Sequence, residues 1–335
     1  MTAKPRSIFL LAPENLERIY NAEARRRVSE MTENDGTVHS AESILAEPVA
    51  YADVELVFSG WGAPELTGEL LDRLPRLRAF FYGAGSVRAF VTETFWEREI
   101  VLTSAYQANA VPVAEYTMAS VIFALKRAWR FDRGLKAGVD PRGRIQIAGV
   151  YEGSRVGIIS LGAIGRLVCE KLVALELDVL AYDPLADASA FERLGVQRAE
   201  SLEQLFPVCD VVSLHAPWLK ETENLVTGDL LRSMKADATF INTSRGAIVD
   251  EPAMIEVLRE RPDLFAVLDL IQDESNYAGS PLREMPNVFL TPHIAGSQGR
   301  ECHRMGALAV EECRRFLAGE PQLVGLNQQR AAILA

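Results

Sequence analysis

The sequence predicts an α/β protein built from two doubly wound parallel-sheet domains. Three observations carry that prediction. Short apolar runs alternate with charged or amphipathic stretches over the first hundred residues, the same alternation returns after residue 154, and a nearly continuous apolar helix lies between the two sets. Strands alternating with helices at this spacing form parallel sheets covered on both faces. At 335 residues the chain is long for a single core, so two domains are expected. Residues 1–104 with 299–335 form the first and residues 105–298 the second.

Each element follows from its own residues. SIFLLA (7–12) predicts a first strand, followed by a charged helical segment. VELVFSG (54–60) precedes PELTGELLDRLP, an amphipathic helix that stops before Pro75. LRAFFYGAG (77–85) is a strand ending in a glycine turn, and IVLTSA (100–105) is another strand. A long helix is expected to begin near Pro112, since proline fits the first helical turn and Glu115 suits the positive end of the dipole. Residues 133–154, glycine-rich and basic, read as loop. The second set runs VGIIS, helix 163–176, DVLAYD, helix 187–194, DVVSLH, helix 228–235, ATFINTS, helix 251–260, FAVLDL and NVFLTPH. That is a six-strand pattern, and residues 300–318 are helical again.

Composition bounds the partners. A content of 48% hydrophobic and 24% charged residues is that of a soluble globular protein. The formal charge of −11 argues against nucleic acid or an anionic membrane, both of which need basic surface. Four cysteines (169, 209, 302 and 313) without CxxC spacing read as reduced thiols of a cytoplasmic protein, with no disulfide and no metal site. The N-terminal stretch reads as a strand rather than a signal peptide or membrane span.

The turn after VGIIS raises the first functional question. A dinucleotide-binding turn carries Gly-x-Gly-x-x-Gly: the first glycine permits the tight turn, the second lets backbone approach a pyrophosphate, and the third lets helix pack on strand. Here the six residues are Ser160-Leu161-Gly162-Ala163-Ile164-Gly165, so the first glycine is missing. Two glycines alone say little. Their context says more, because the turn follows an apolar strand and opens a helix whose N–H groups suit a phosphate. The next strand ends in AYDP, which places Asp183 where a carboxylate would accept bonds from ribose hydroxyls; the plainer alternative makes it a turn residue before Pro184. No arginine lies within 184–192 to meet a 2′-phosphate, so NAD(H) is expected over NADP(H).

Several motifs together make the chain resemble the D-isomer-specific 2-hydroxyacid dehydrogenases, from about residue 50 to 318. They are VAEYTMA (113–119), the turn at 160–165, HAPWLKETENLV (215–226), MKADATFINTSRGAIVDE (234–251), LDLIQDE (268–274) and NVFLTPHIAG (287–296). The resemblance implies a flavodoxin-like substrate domain, a Rossmann NAD-binding domain and a homodimer. It implies a catalytic Arg245, Glu274 and His293. Cofactor contacts would come from Gly162, Ala163 and Ile164 in the turn and from His215, Ala216, Pro217 and Thr222 in the HAP loop. Thr243, Ser244 and Arg245 would add more, as would Asp269, His293 and Gly296. YGAGSV (82–87) matches the family's substrate loop, so Gly83, Ala84 and Gly85 are expected to cradle the substrate carboxylate with backbone N–H groups, together with Arg245.

These residue types suit the chemistry without the family name. Arg245 ends a strand in a Thr-Ser-Arg-Gly turn, and a guanidinium is a permanent forked donor for a carboxylate and an adjacent carbonyl. Among four histidines His293 is the best proton-transfer candidate: His39 lies in a polar loop, His303 on the last helix, and His215 in the HAP turn. A carboxylate at Glu274 would orient the imidazole and favour its protonated form. Asp273 is the competing acid. Asp269 is expected near the nicotinamide carboxamide, with a polar strand end as the alternative reading.

Departures from the family pattern cluster at functional loops. They are Ser160, Val87–Arg88 where an aspartate is common, and Ser275 where a proline usually follows the glutamate. The loop FSGWGAPELT holds Trp61 and no basic residue, which argues against a phosphorylated substrate; Trp61 either meets a substrate side group or lies at a dimer surface. Trp218 adds bulk near the cofactor side. Two rival functions stand beside the dehydrogenase: an NAD-responsive, corepressor-like interaction protein with little or no turnover, and formate oxidation.

Overall fold

A computed structural model describes residues 4–47, 49–140 and 147–334. The chain folds into two compact units, Met1–Asn109 with Ser297–Ala335, and Ala110–Gly296. The sequence reading puts the divisions at 104/105 and 298/299, a few residues away.

The first unit carries β1 (Arg6–Leu10), β2 (Val38–His39), β3 (Val54–Ser59), β4 (Ala79–Tyr82) and β5 (Val101–Ser104). They pair in parallel in the order β2-β1-β3-β4-β5, and a last strand, Gly325–Leu326, adds antiparallel to β5. This is the flavodoxin-like order. The pleat explains the unbroken apolar runs. Leu56 and Phe58 point into one core with Phe81 and Val310, while Val57 points into the opposite one with Ile8 and Phe80. The helix Cys302–Leu317 supplies Ala309, Val310 and Cys313 to the first of these cores. Its fully buried Glu312 accepts the N–H groups of Leu323 (3.0 Å) and Val324 (3.3 Å), which fixes the chain before it enters the last strand.

The second unit holds β6 (Arg155–Ile159), β7 (Asp178–Tyr182), β8 (Gln197–Arg198), β9 (Val211–Leu214), β10 (Thr239–Asn242), β11 (Phe265–Leu268) and β12 (Val288–Leu290). Their order is β8-β7-β6-β9-β10-β11-β12, all parallel, with the reversal of direction between β6 and β9. In open sheets of this kind ligands bind beyond the carboxyl ends of the strands at that switch point. The expected six strands are thus seven. The extra one, β8, is two polar residues at the sheet edge and leaves no apolar signal.

Two further expectations are corrected. The long helix runs Tyr106–Leu125, so Pro112 lies inside it rather than at its start. Proline removes one N–H donor, yet Ala105 and Ala108 pack against Trp61, Cys302 and Met305, and that packing outweighs the local preference. The helix is long and apolar enough to match a membrane span, but its Ala114, Val121 and Leu125 belong to the core of the second unit. Residues 133–136, read as loop, end a helix, Ala128–Lys136. Trp129 of that helix stacks on Phe289 (4.9 Å) and Phe265 (5.8 Å), and Arg133 donates to backbone carbonyls near β12. The part of that segment at 141–146 lies outside the described residues.

Candidate active site

At the turn after β6, Ser160 adopts φ +78°, the left-handed conformation that the missing glycine would take without strain. It is held there from both sides: its N–H donates to Tyr182 O (2.8 Å), and the next N–H, of Leu161, donates to Asp183 Oδ2 (2.7 Å). The two remaining glycines do different jobs. A β-carbon on Gly165 would stand 2.0 Å from the Ser160 carbonyl oxygen, so the helix Ala163–Val173 can lie on the turn only with glycine there. A β-carbon on Gly162 would meet nothing nearer than Ser160 Oγ at 4.0 Å. Gly162 therefore leaves open space at the helix N-terminus, and no side chain caps the helix. Open space, uncapped N–H groups and close helix–turn packing fit a dinucleotide pyrophosphate. Ala163 and Ile164 are the first residues of that helix.

The bonds of Asp183 are those of the turn reading. Oδ1 accepts from Leu185 N (2.8 Å) and Ala186 N (3.2 Å), shaping the turn after β7, while Oδ2 ties that turn to the one at Leu161.

The HAP loop follows β9. His215 is buried, with Nε2 3.0 Å from Ser213 Oγ and no partner on Nδ1 among the described residues. Burial pushes its pKa down to about 3, so it stays neutral at ordinary pH. Ala216 accepts the Ser244 hydroxyl. Thr222 organises the loop by donating to Pro217 O (2.6 Å) and accepting from Leu219 N (2.8 Å). Trp218 is 46% exposed.

Arg245, Glu274 and His293 all belong to the second unit. Arg245 follows β10, where Asn242 stitches the turn by donating to Arg245 O (3.0 Å) and accepting from Ser244 N (2.9 Å). Thr243 sits 3.1 Å from the Thr117 hydroxyl. Burial lowers the pKa of Arg245, partly offset by Glu274, and a guanidinium stays charged regardless. Gly246 explains how that turn meets the loop carrying Glu274. A β-carbon there would lie 2.2 Å from Ile271 O, so only glycine lets the two backbones touch. Glu251 steadies the same loop by accepting Gln272 N (2.6 Å).

Glu274 Oε2 stands 2.7 Å from His293 Nδ1. Asp273, the competing acid, turns to its own loop and accepts the Ser275 hydroxyl (2.6 Å) and N–H (3.1 Å). Serine in place of the expected proline thus contributes a local bond. Asp269 is almost fully buried, and both of its oxygens are engaged by the chain: Oδ1 accepts Thr291 Oγ1 (2.7 Å) and Ile294 N (2.8 Å), and Oδ2 accepts Ala295 N (2.8 Å). Gly296 closes this loop. Three residues escaped the sequence reading. Tyr116 shares a 2.8 Å hydrogen bond with Thr291, and the Tyr277 hydroxyl, pushed up to about 12 by burial and then by Glu274 and Asp269, lies 3.5 Å from Asp269 O. The threonine of LTPH was the available signal for Thr291; nothing local marked the two tyrosines.

In the first unit the glycine loop is partly corrected. Gly83 donates its N–H to Ser59 O (2.8 Å), and a β-carbon there would lie 2.8 Å from both the Tyr20 hydroxyl and Ile19. It is a packing glycine without a free N–H for a ligand. Ala84 and Gly85 donate to no acceptor among the described residues, while their carbonyls accept the Ser104 hydroxyl. Val87 anchors the loop by packing in the core. Trp61 lies under the Arg18 guanidinium, 4.6 Å from carbon to ring centre.

A doubly wound sheet with an open glycine turn after its first strand, and with Arg245, Glu274 and His293 on its later loops, is a sheet of the dinucleotide-binding type. Comparison with known proteins makes the class specific. Residues 118–295 match the family described as D-isomer specific 2-hydroxyacid dehydrogenase, NAD binding domain. The (S)-sulfolactate dehydrogenase of Chromohalobacter salexigens is 33% identical over 249 residues, 74% of this chain and 80% of that protein. The D-3-phosphoglycerate dehydrogenase of Methanocaldococcus jannaschii is 28% identical over 276 residues, and the match spans 82% of this chain but only 52% of that longer protein. The apo D-mandelate dehydrogenase of Rhodotorula graminis shares the fold with a TM-score of 0.80 over 97% of this chain and 98% of that one, at 24% identity. The chain belongs to the D-isomer specific 2-hydroxyacid dehydrogenase family, and its cofactor is NAD.

Proposed function

We propose that the protein interconverts a D-2-hydroxy acid and its 2-oxo acid, with Arg245, Glu274 and His293 as the working side chains. The observation that carries this reading is the 2.7 Å His293–Glu274 pair, on a loop in backbone contact with the turn of Arg245. Bound NAD(H) supplies or accepts the hydride. Arg245 holds the carboxylate and carbonyl oxygen of the 2-oxo acid through its forked N–H groups. Glu274 accepts the Nδ1–H of His293, which fixes the ring and leaves Nε2 for the substrate. In reduction Nε2–H gives its proton to the substrate oxygen; in oxidation the neutral Nε2 takes it back. Gly162 and the first turn of Ala163–Val173 receive the pyrophosphate, and Asp183 the ribose. In the first unit, the N–H groups of Ala84 and Gly85 have no acceptor among the described residues, which keeps them as candidates for binding an anion.

The same reading makes the protein a cytoplasmic homodimer. Its four cysteines are free and buried, which suits a reducing compartment, and Phe123 and Leu135 offer apolar surface to a partner copy.

The test is NADH oxidation followed by absorbance against a panel of 2-oxo acids, with formate and NAD⁺ as a further arm. Turnover of a 2-oxo acid is expected, and His293→Ala should lose at least ~100-fold in kcat. Binding of NADH without turnover across the panel would favour the interaction-protein alternative.

A further inference from the structure

His293 is strained where it stands. Its φ is +55°, a conformation that a non-glycine residue holds only when its surroundings impose it. Its side chain is 44% exposed and its partner Glu274 is 39% exposed, so the pair alone is a weak restraint. The restraint comes from behind, through the backbone. Consecutive N–H groups of His293, Ile294 and Ala295 all donate to Asp269: to its carbonyl at 2.6 Å, to Oδ1 at 2.8 Å and to Oδ2 at 2.8 Å.

Asp269 could point its carboxylate elsewhere if nothing oriented it. Thr291 does so, donating its hydroxyl to Oδ1 at 2.7 Å. With that proton spent, the Thr291 oxygen can only accept from Tyr116, whose hydroxyl lies 2.8 Å away. The direction of the chain is therefore fixed: Tyr116 donates to Thr291, Thr291 to Asp269, and Asp269 receives the backbone that bears His293. Tyr116 starts this chain from the helix Tyr106–Leu125, a rigid element of the core.

We propose that Thr291, oriented by Tyr116, is a positioning residue that sets His293 for proton transfer by aiming the Asp269 carboxylate at the 293–295 backbone. This rests on the reading of His293 as the proton-transfer residue. Neither hydroxyl touches the imidazole, so both act through the left-handed turn. Removing the Thr291 hydroxyl leaves the Asp269 carboxylate held, among the described residues, only by the Ile294 and Ala295 N–H groups of the turn it must support, so carboxylate and turn can shift together, relaxing His293 and moving its ring relative to Glu274.

The test compares Thr291→Val, which keeps the shape and removes the hydroxyl, with Thr291→Ser, which restores the hydroxyl, and with Tyr116→Phe. Each full-length variant is assayed for NADH-dependent reduction of the best 2-oxo acid of the panel, for NADH affinity by fluorescence and for thermal unfolding. The expected result is a kcat loss of ~10-fold or more for Thr291→Val, since displacements of about 1 Å at a reacting group cost up to ~100-fold. Thr291→Ser should recover most of it, Tyr116→Phe should lose a few-fold, and NADH affinity should stay within about threefold, which separates chemistry from binding. Wild-type kcat in Thr291→Val overturns the proposal, as does an equal loss in Thr291→Ser or a loss seen only in NADH affinity. Should Thr291→Val fail to fold, Tyr116→Phe carries the test, and an unchanged kcat there overturns it. If the wild type itself turns over no 2-oxo acid, the proposed function fails and takes this inference with it.

Discussion

Replacing Gly165 with alanine should damage both stability and NAD binding, and the size of the damage can be worked from the turn. The new β-carbon would stand 2.0 Å from Ser160 O and 3.1 Å from Ser160 C, both backbone atoms. Relief needs the turn or the helix to move by more than an ångström. The turn cannot move freely, because Ser160 N is bonded to Tyr182 O and Leu161 N to the Asp183 carboxylate. A neutral bond contributes about 1 kcal/mol net and one to a charged acceptor about 2 kcal/mol, while overpacking alone costs about 1–3 kcal/mol. Loss of roughly 3 kcal/mol is the expected outcome, a fall in Tm of about 6–12 °C for a unit of this size. NADH affinity should fall by at least ~10-fold, because the same movement displaces the N–H groups at the helix start. Differential scanning fluorimetry and NADH fluorescence titration measure the two effects. A Gly165→Ala protein with wild-type Tm and wild-type NADH affinity would refute this account of the turn.

Three further outcomes are expected. His215 titrates at about 3 in the fold against an ordinary value near 6.5, so below pH ~6.5 the unfolded chain takes up a proton that the folded one refuses. Stability should therefore fall as pH drops from ~6.5 toward 3, by up to about 1.4 kcal/mol per pH unit from this group, and His215→Gln should flatten that slope in urea melts at pH 7 and pH 4. The thiols of Cys169, Cys209 and Cys313 are buried and pushed up to about 12, so a disulfide reagent should leave them untouched in the native protein and modify them in guanidinium. Glu312→Ala should leave the Leu323 and Val324 N–H groups without their acceptor and lower stability by about 2 kcal/mol in denaturant titration; no measurable change would count against its role as an anchor.

Much of the fold and of the candidate site was legible because it rests on periodicity and on residues whose chemistry is local. Apolar runs long enough to be covered on both faces marked β1, β3 to β7 and β9 to β12, while the two-residue β2, β8 and Gly325–Leu326 left no such run, and the spacing of Gly162, Gly165 and Asp183 marked the candidate nucleotide turn. Arg245, Glu274 and His293 stood out through the resemblance, and their residue types suit carboxylate binding and proton transfer. What stayed hidden depends on tertiary partners. Ser160 looked like a defect, yet Tyr182 and Asp183 hold it in the conformation the glycine would have taken. Gly83 looked like part of an anion cradle, but its bareness serves the close approach of Tyr20 and Ile19. The helix around Trp129 was missed because its stabilisation comes from stacking on β11 and β12, more than a hundred residues later.

The first unit is assembled from two separated stretches of chain, and that order has a consequence during synthesis. Residues Ala110–Gly296 are contiguous and can close their own sheet as soon as they leave the ribosome. The flavodoxin-like sheet must wait, with Phe58 and Phe81 short of the cover that Val310 and Cys313 provide, until the helix Cys302–Leu317 has been translated. A nascent chain stopped near residue 296 should thus carry a finished nucleotide-binding unit joined to a sticky, half-covered one, and chaperone dependence should be greatest at that point.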